Sequence, residues 1–207
     1  MDAAVPQPSH PAAVDYPAVF ELDRAEHIAW WRPLVHWLLI IPHMLVLSVI
    51  GLVAEIVAFI AWFVILFTGK LPEGMAGLMA LYIRYSNRVN GYYLFMREEY
   101  PPFSFETTPQ DPGDYPAVRT QVAPELEGRN RLTVAFRFIL VIPQYIVLAV
   151  LGLVAFFAVI GGFFVVLFTR KWPEGLQEFV LGVLRWNTRV LAYSLLLVDP
   201  YPPFSLQ

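Results

Sequence analysis

The chain has 207 residues, 57% hydrophobic and only 15% charged, with a formal net charge of −3 and no cysteine. Soluble domains carry about a quarter charged residues, so much of this chain is expected to meet a bilayer rather than water. Without cysteine, disulfide frameworks, thiolate metal sites and catalytic thiols are excluded, and no basic excess points to nucleic acid as a partner.

Residues 1–14 are rich in Pro and Ala, with an acid at position 2 and neither the basic start nor the apolar core of a secretory signal. They are expected to form a disordered tail. YPAVFELD, from Tyr16, alternates in the manner of a short strand. From Leu34 to Phe67 the chain is almost unbroken hydrocarbon, and Phe138 to Phe168 repeats this. As one helix such a run would reach about 51 Å, against about 30 Å of bilayer core. Two shorter helices with a turn near Gly51, and near Gly152 in the second run, place all fourteen Lys and Arg on one side of the membrane. The expected topology is therefore a multi-pass membrane protein of helical hairpins with both termini cytoplasmic. The competing picture is one long helix kinked at Pro42 and Pro143.

TGKLPEG (68–74) and TRKWPEG (169–175) read as helix starts, with Thr68 and Thr169 as caps, Pro72 and Pro173 in the first turn, and Glu73 and Glu174 opposing the dipole. The helix that follows carries Arg84, Asn87 and Arg88 on one face, and in the second copy Glu178, Arg185 and Arg189 share a face. Two arginines at mid-helix make a poor span, so an amphipathic helix in the headgroup plane is expected. YPPFS ends both copies, and SFE and FSL are candidate strands beside YPAVFELD and YPAVRTQV.

These landmarks recur. YPAV at 16–19 returns at 115–118, and from Ile41 onward the offset is constant at 101: IP, GLVA, LFTGKLPEG/LFTRKWPEG, RYSNRV/RWNTRV and YPPFS all repeat. The organisation is a tail (1–14), repeat 1 (15–106), a linker (107–114) and repeat 2 (115–207). The fold class is all-α integral membrane, each copy a transmembrane hairpin plus an interfacial helix, with short cytoplasmic strands. The order IPH, LFTGKLPEG, RYSNRV, YPPFSF and its second version resemble a bacterial membrane-protein family defined only as a domain of unknown function, often found in tandem. That resemblance implies a bacterial inner-membrane protein and no particular activity.

Candidate chemistry is sparse. His36 and His43 share a helix face about 10 Å apart, too far to ligate one metal, and their counterparts are Arg137 and Gln144. The expected role of His36, His43 and Gln144 is hydrogen-bonding within the bundle. Glu55 is the one acid in an apolar run, a candidate for proton or ion handling, and its counterpart is Phe156. Lys70, Arg84, Arg88, Lys171, Arg185 and Arg189 form a cationic theme in both copies, suited to anionic lipid headgroups or a partner surface. No phosphate loop, HExxH, GxSxG or paired-carboxylate motif is present, so no catalytic residue, cofactor or metal is expected. The leading expectation is a non-enzymatic accessory or scaffold protein, bound to anionic membrane lipids and a larger membrane complex. The alternatives are a small transporter or channel with pseudo-symmetric halves, and a lipid-binding or lipid-handling protein.

Overall fold

The structure is a computed structural model that describes residues 16–25 and 27–207; the tail expected over 1–14 lies outside the described residues. In chain order the elements are β1 (Ala18–Leu22), α1 (Arg32–Leu39), α2 (Ile41–Thr68), α3 (Glu73–Tyr93), β2 (Val118–Val122), α4 (Arg131–Ala135), α5 (Arg137–Leu140), α6 (Ile142–Thr169) and α7 (Glu174–Ser194). The fold is mostly helical, in two tandem copies, with one two-stranded sheet.

The expected hairpins do not form. Each apolar run is a single helix of 28 residues, unbroken at Gly51 and Gly152, and α2 and the run Arg137–Thr169 are each long and apolar enough to cross a membrane. Gly51 serves packing rather than turning: a Cβ there would stand 3.1 Å from the Tyr82 ring, so its absence lets α3 press against α2. The chain bends earlier, at Ile40 and Val141, where Pro42 and Pro143 enter the first turn of the long helices; there proline removes an N–H that has no intrahelical acceptor. Thr68 and Thr169 close the long helices instead of opening the next ones: each hydroxyl donates to the carbonyl four residues back and accepts from the N–H two residues on. Gly69 and Arg170 follow in left-handed backbone, φ 72° and 61°. Pro72 and Pro173 stand one residue before α3 and α7, which begin at Glu73 and Glu174 as expected.

The interfacial-helix expectation also fails, because α3 and α7 are the inner helices. Fourteen of the 21 residues of α3 are buried. Tyr82, Tyr85, Val89 and Tyr92, spaced three or four apart, form the face turned to α1 and α2, where Tyr85, Val89 and Tyr92 pack with Ile40 and Ile50. Arg84, Asn87, Arg88 and Gly91 form another face, turned to the sheet and the segment leading to it.

The two copies are related by a pseudo-twofold axis and are interlocked. Asn87 and Thr188 are the same position in the two copies, and the Thr188 hydroxyl donates to Asn87 Oδ1 at 3.1 Å. Asn87 Nδ2 donates in turn to Thr120 Oγ1 at 3.0 Å, and Thr120 pairs with Phe20 at the centre of the antiparallel β1–β2 ribbon. Each strand packs on the other copy's inner helix: β1 lies on α7, and β2 on α3. The Tyr16 hydroxyl donates to Pro200 O, and its counterpart Tyr115 donates to Glu99 O. Ile28 N–H donates to Arg170 O, and its counterpart Arg129 N–H to Gly69 O. Every one of these bonds crosses between copies.

SFE and FSL do not join the sheet. The segments after YPPFS run as extended straps along α3 and α7, so close that a Cβ at Gly77 would stand 1.9 Å from Thr107 O and one at Gly182 2.8 Å from Leu206 O. The molecule thus has three layers: the ribbon and straps, then α3 and α7, then α2 and α6. Since each strand docks on the opposite copy, neither copy can complete its core alone. Residues 1–106 and 107–207 expressed separately are expected to stay unfolded or aggregate, and to give one cooperative melt when co-expressed, as read by size-exclusion chromatography and circular dichroism in detergent. A cooperatively folded, monomeric 1–106 fragment would contradict the interlock.

Candidate functional site

His36, His43 and Gln144 are all fully buried and do related work in the two copies. His43 Nδ1 lies 2.6 Å from the Tyr85 hydroxyl, and its ring stacks on Phe103 of the strap at 4.1 Å between centroids. At the equivalent place Gln144 accepts from Trp186 Nε1 and donates to Pro202 O, both at 2.7 Å. His36 Nδ1 bonds Tyr92 O at 3.0 Å while its ring stacks on Tyr92 at 3.9 Å. In the second copy Arg137 donates to Tyr193 O at 2.8 Å and lies over the Tyr193 ring at 4.1 Å. Each of these residues ties a long helix to the inner helix or strap, so they are glue between layers.

The six cations do not form one headgroup-facing row. Arg84, Arg88 and Arg189 are buried, at 3%, 3% and 4% exposure. Arg84 donates to Glu106 O at 2.6 Å and Pro109 O at 3.3 Å; Arg189 donates to Ser205 O and Gln207 O; Arg88 grips both oxygens of Asp114. Burial would raise the Asp114 carboxyl, but bonds from Arg88 and Ser104 and the Arg88 charge hold it below its ordinary value. Half-buried Arg185 pairs with Glu178 at 2.6 Å and exposed Lys70 with Glu127 at 2.7 Å. Lys171 is exposed. The three buried guanidinium groups saturate strap carbonyls and a linker carboxylate, so they fasten the straps rather than await a ligand.

A cluster that sequence spacing did not reveal joins Arg129, Arg137 and Asp199. Asp199 Oδ1 accepts from Arg129 at 2.6 Å and from Arg137 at 2.7 Å, and Oδ2 accepts from Asn130 N–H at 3.0 Å. Carbonyls of Glu125, Leu196, Tyr193 and Val198 take further guanidinium donors, and Arg137 Nε is buried without a partner among the described residues. Burial raises the Asp199 carboxyl, yet the bonds from Arg129, Asn130 and Arg137 outweigh it and keep the group below its usual range.

Glu55 lies on a groove of 350 Å³ that Arg137 of this cluster also lines, walled by α2 on one side and by α5 and the start of α6 on the other. Its floor is the inner layer. Tyr82, Tyr145 and Ser194 converge there with Glu55, and Phe59, Phe138 and Val141 supply apolar walls. The Tyr145 hydroxyl donates to Ser194 Oγ at 3.1 Å. Among the described residues Glu55 has no hydrogen-bond or ion-pair partner, and it is exposed in the outer layer. The polar set occurs once: at the offset of 101 the counterparts of Glu55, Tyr82, Tyr145 and Ser194 are Phe156, Val183, Met44 and Tyr93. Only Glu55 was foreseeable, as a lone acid without a repeat partner; the other three came from separate helices and carry no local signature.

The arrangement defines a tandem, pseudo-symmetric helical protein with two long apolar outer helices and one polar groove. A family model described as a domain of unknown function (DUF4389) matches residues 30–104 and 131–205. The chain belongs to that family, twice over. No curated protein and no solved structure matches it.

The Asp199 cluster makes a measurable demand on pH. A carboxylate held below its ordinary value adds stability above about pH 4 and loses it as pH falls through the lower folded value. Thermal stability in mild detergent is expected to be level from neutral pH down to about 5 and to fall below about 4. Asp199→Asn, which leaves two buried guanidinium groups without their carboxylate, is expected to destabilise the wild-type fold at pH 7 by about 3 kcal/mol and to flatten that acid limb in a melting series.

Proposed function

We propose that this protein is a non-enzymatic scaffold of the bacterial inner membrane that holds a lipid headgroup in the groove around Glu55. The supporting observation is the asymmetry of that groove. The two copies repeat each other in fold and fastening, while the unpaired carboxylate and the hydroxyls of Tyr82, Tyr145 and Ser194, drawn from both copies, gather on one side of the axis and have no such set at their repeat positions. The walls are apolar apart from Arg137, whose charge Asp199 balances, so a carboxylate with free acceptor capacity selects a ligand that brings hydrogen-bond donors or positive charge, and the headgroup class is an amine-bearing one such as ethanolamine. The cationic groups left at the surface, Lys171 and in part Lys70 and Arg185, add attraction to anionic lipid around the site. Exposed Tyr100, Phe103, Tyr201 and Phe204 in the YPPFS turns suit a partner membrane protein.

The transporter reading requires a solvated path near the symmetry axis. Thr120, Asn87 and Thr188 occupy that axis, at 1%, 1% and 0% exposure and bonded to one another, which disfavours it.

Lipid retained through purification in mild detergent and identified by mass spectrometry tests the proposal. Wild type is expected to keep ethanolamine lipid above its bulk share. Glu55→Gln is expected to lower that retention about fivefold, the equivalent of about 1 kcal/mol for one partly exposed charge contact, while Phe156→Ala leaves it unchanged. Equal retention by wild type and Glu55→Gln would refute the headgroup site.

A further inference from the structure

The long helices have the length and apolarity of membrane spans, yet the rest of the fold does not suit a crossing. We propose that α2 and α6 lie in the plane of a single membrane leaflet, antiparallel to each other, with the ribbon and straps turned to water. The occupant of the outer apolar face is thus one leaflet of a bilayer.

The inner helices run antiparallel. Asn87 meets Thr188, and Tyr82, earlier in α3, shares the groove with Leu191 and Ser194, later in α7. Because α2 packs antiparallel on α3, with His43 at Tyr85 and Gly51 at Tyr82, and the second copy repeats this, α2 and α6 also run opposite ways. The pseudo-twofold axis therefore stands across the helices, and the ribbon sits on it near the helix midpoints, where Asn87 bonds Thr120. If α2 and α6 crossed the bilayer, that ribbon would lie near mid-depth. Its outer face carries the Glu21–Arg119 ion pair, 3.0 Å apart with side chains about half exposed. A charged side chain at the bilayer centre costs about 3 kcal/mol even on the most lenient scale.

The cations at the helix ends argue the same way. Where α2 ends, Lys70 lies beside the second copy's leading segment, with Arg131 against Gly69. Where α6 ends, Arg170 and Lys171 lie beside the first copy's leading segment, through the Ile28 bond to Arg170 O. A crossing would place basic residues on both faces of the membrane, against the usual one-sided bias. Lying flat, the same residues all meet one surface.

The outer face itself is suited to a leaflet. Along about 42 Å of each helix the exposed side chains are apolar, Leu45, Leu52 and Phe59 on α2 and Ile146, Leu153 and Phe164 on α6 among them. Ser48, whose hydroxyl donates to Met44 O, and Glu55 are the polar exceptions on α2. Helices seated at the boundary between headgroups and acyl chains bury an apolar face to a depth of about 5–10 Å. At that depth Glu55 and its groove open at headgroup level. The seating rests on the lipid reading only for membrane attachment, and its test separates the two.

The native chain has no cysteine, so Lys70→Cys and Lys171→Cys each introduce a single thiol, one at either end of the helix layer. Sealed right-side-out and inside-out vesicles from an expressing bacterium are treated with a membrane-impermeant maleimide. Both thiols are expected to react in the same vesicle orientation, at least tenfold faster than in the other; reaction in opposite orientations would overturn the proposal. Nitroxide labels at Val49→Cys, Ile56→Cys and Phe63→Cys give a second readout. Oxygen and nickel-chelate accessibility is expected to place all three at one depth within about 3 Å, whereas the 1.5 Å rise along a crossing helix would separate them by about 10 Å or more and overturn the seating. A chain recovered as a soluble dimer, with the apolar face covered by a second copy, would overturn both this seating and the lipid reading. Opposite-side labelling with ethanolamine lipid still retained would overturn the seating alone.

Discussion

Asn87 and Thr188 are one position written twice, and their contact, extended to Thr120 in the ribbon, sets the geometry of the whole chain. A buried polar group left without a partner costs about 1–3 kcal/mol. Asn87 and Thr120 find these side-chain partners only when the inner helices cross antiparallel at this level and the ribbon lies over the crossing, whereas the Thr188 hydroxyl also reaches Leu184 O within its own helix. From that follow the strand exchange, the docking of Tyr16 and Tyr115 on the opposite YPPFS turns, and the placement of α2 and α6 on the far side of the inner layer. The duplication is thus not two beads on a string. It is an intramolecular dimer in which the linker keeps the two halves at high effective concentration.

The arginines illustrate how a charge can be structural in an apolar protein. Arg84 and Arg189 hold extended straps by their carbonyls, doing for a segment with no strand neighbour what a ladder of backbone bonds would do. Arg137 takes the place of His36, and both bond the carbonyl at the end of the inner helix, that of Tyr92 or Tyr193, which also accepts the N–H of Phe95 or Leu196. Once Arg137 and Arg129 are buried, Asp199 is needed to balance them. The first copy meets the same need for attachment with uncharged groups, Ile28 and His36, and Glu98 receives the Ala29 N–H there. Position and architecture are preserved while the chemistry of the joint differs.

Symmetry and its loss divide the labour. What both copies share is fastening: the layer contacts, the helix ends and the straps. What only one half has is the groove with Glu55, Tyr82, Tyr145 and Ser194. In the proposed seating, a flat apolar layer with a polar groove beside it brings a headgroup-sized recess to the membrane surface without carrying charge through hydrocarbon. In the same proposed seating the cations at both helix ends meet one surface, through helices lying down rather than doubling back.

The amino-acid sequence alone determined the tandem organisation, the helical class, the two strands of the ribbon and the long apolar runs, because offset, composition and periodicity are local properties. It also marked Glu55 as unusual, since an acid among hydrocarbons and facing Phe156 at the repeat position needs no structure to be seen. Tertiary structure decided the rest. Whether Gly51 makes a turn or a close helix contact depends on Tyr82, 31 residues away. Whether Arg84, Arg88 and Arg189 meet lipid or carbonyls depends on where the straps return. The groove depends on helices from both copies meeting across the axis. In each case the deciding partner lies far along the chain, and the energy of a polar or close-packed contact exists only once that partner is in place.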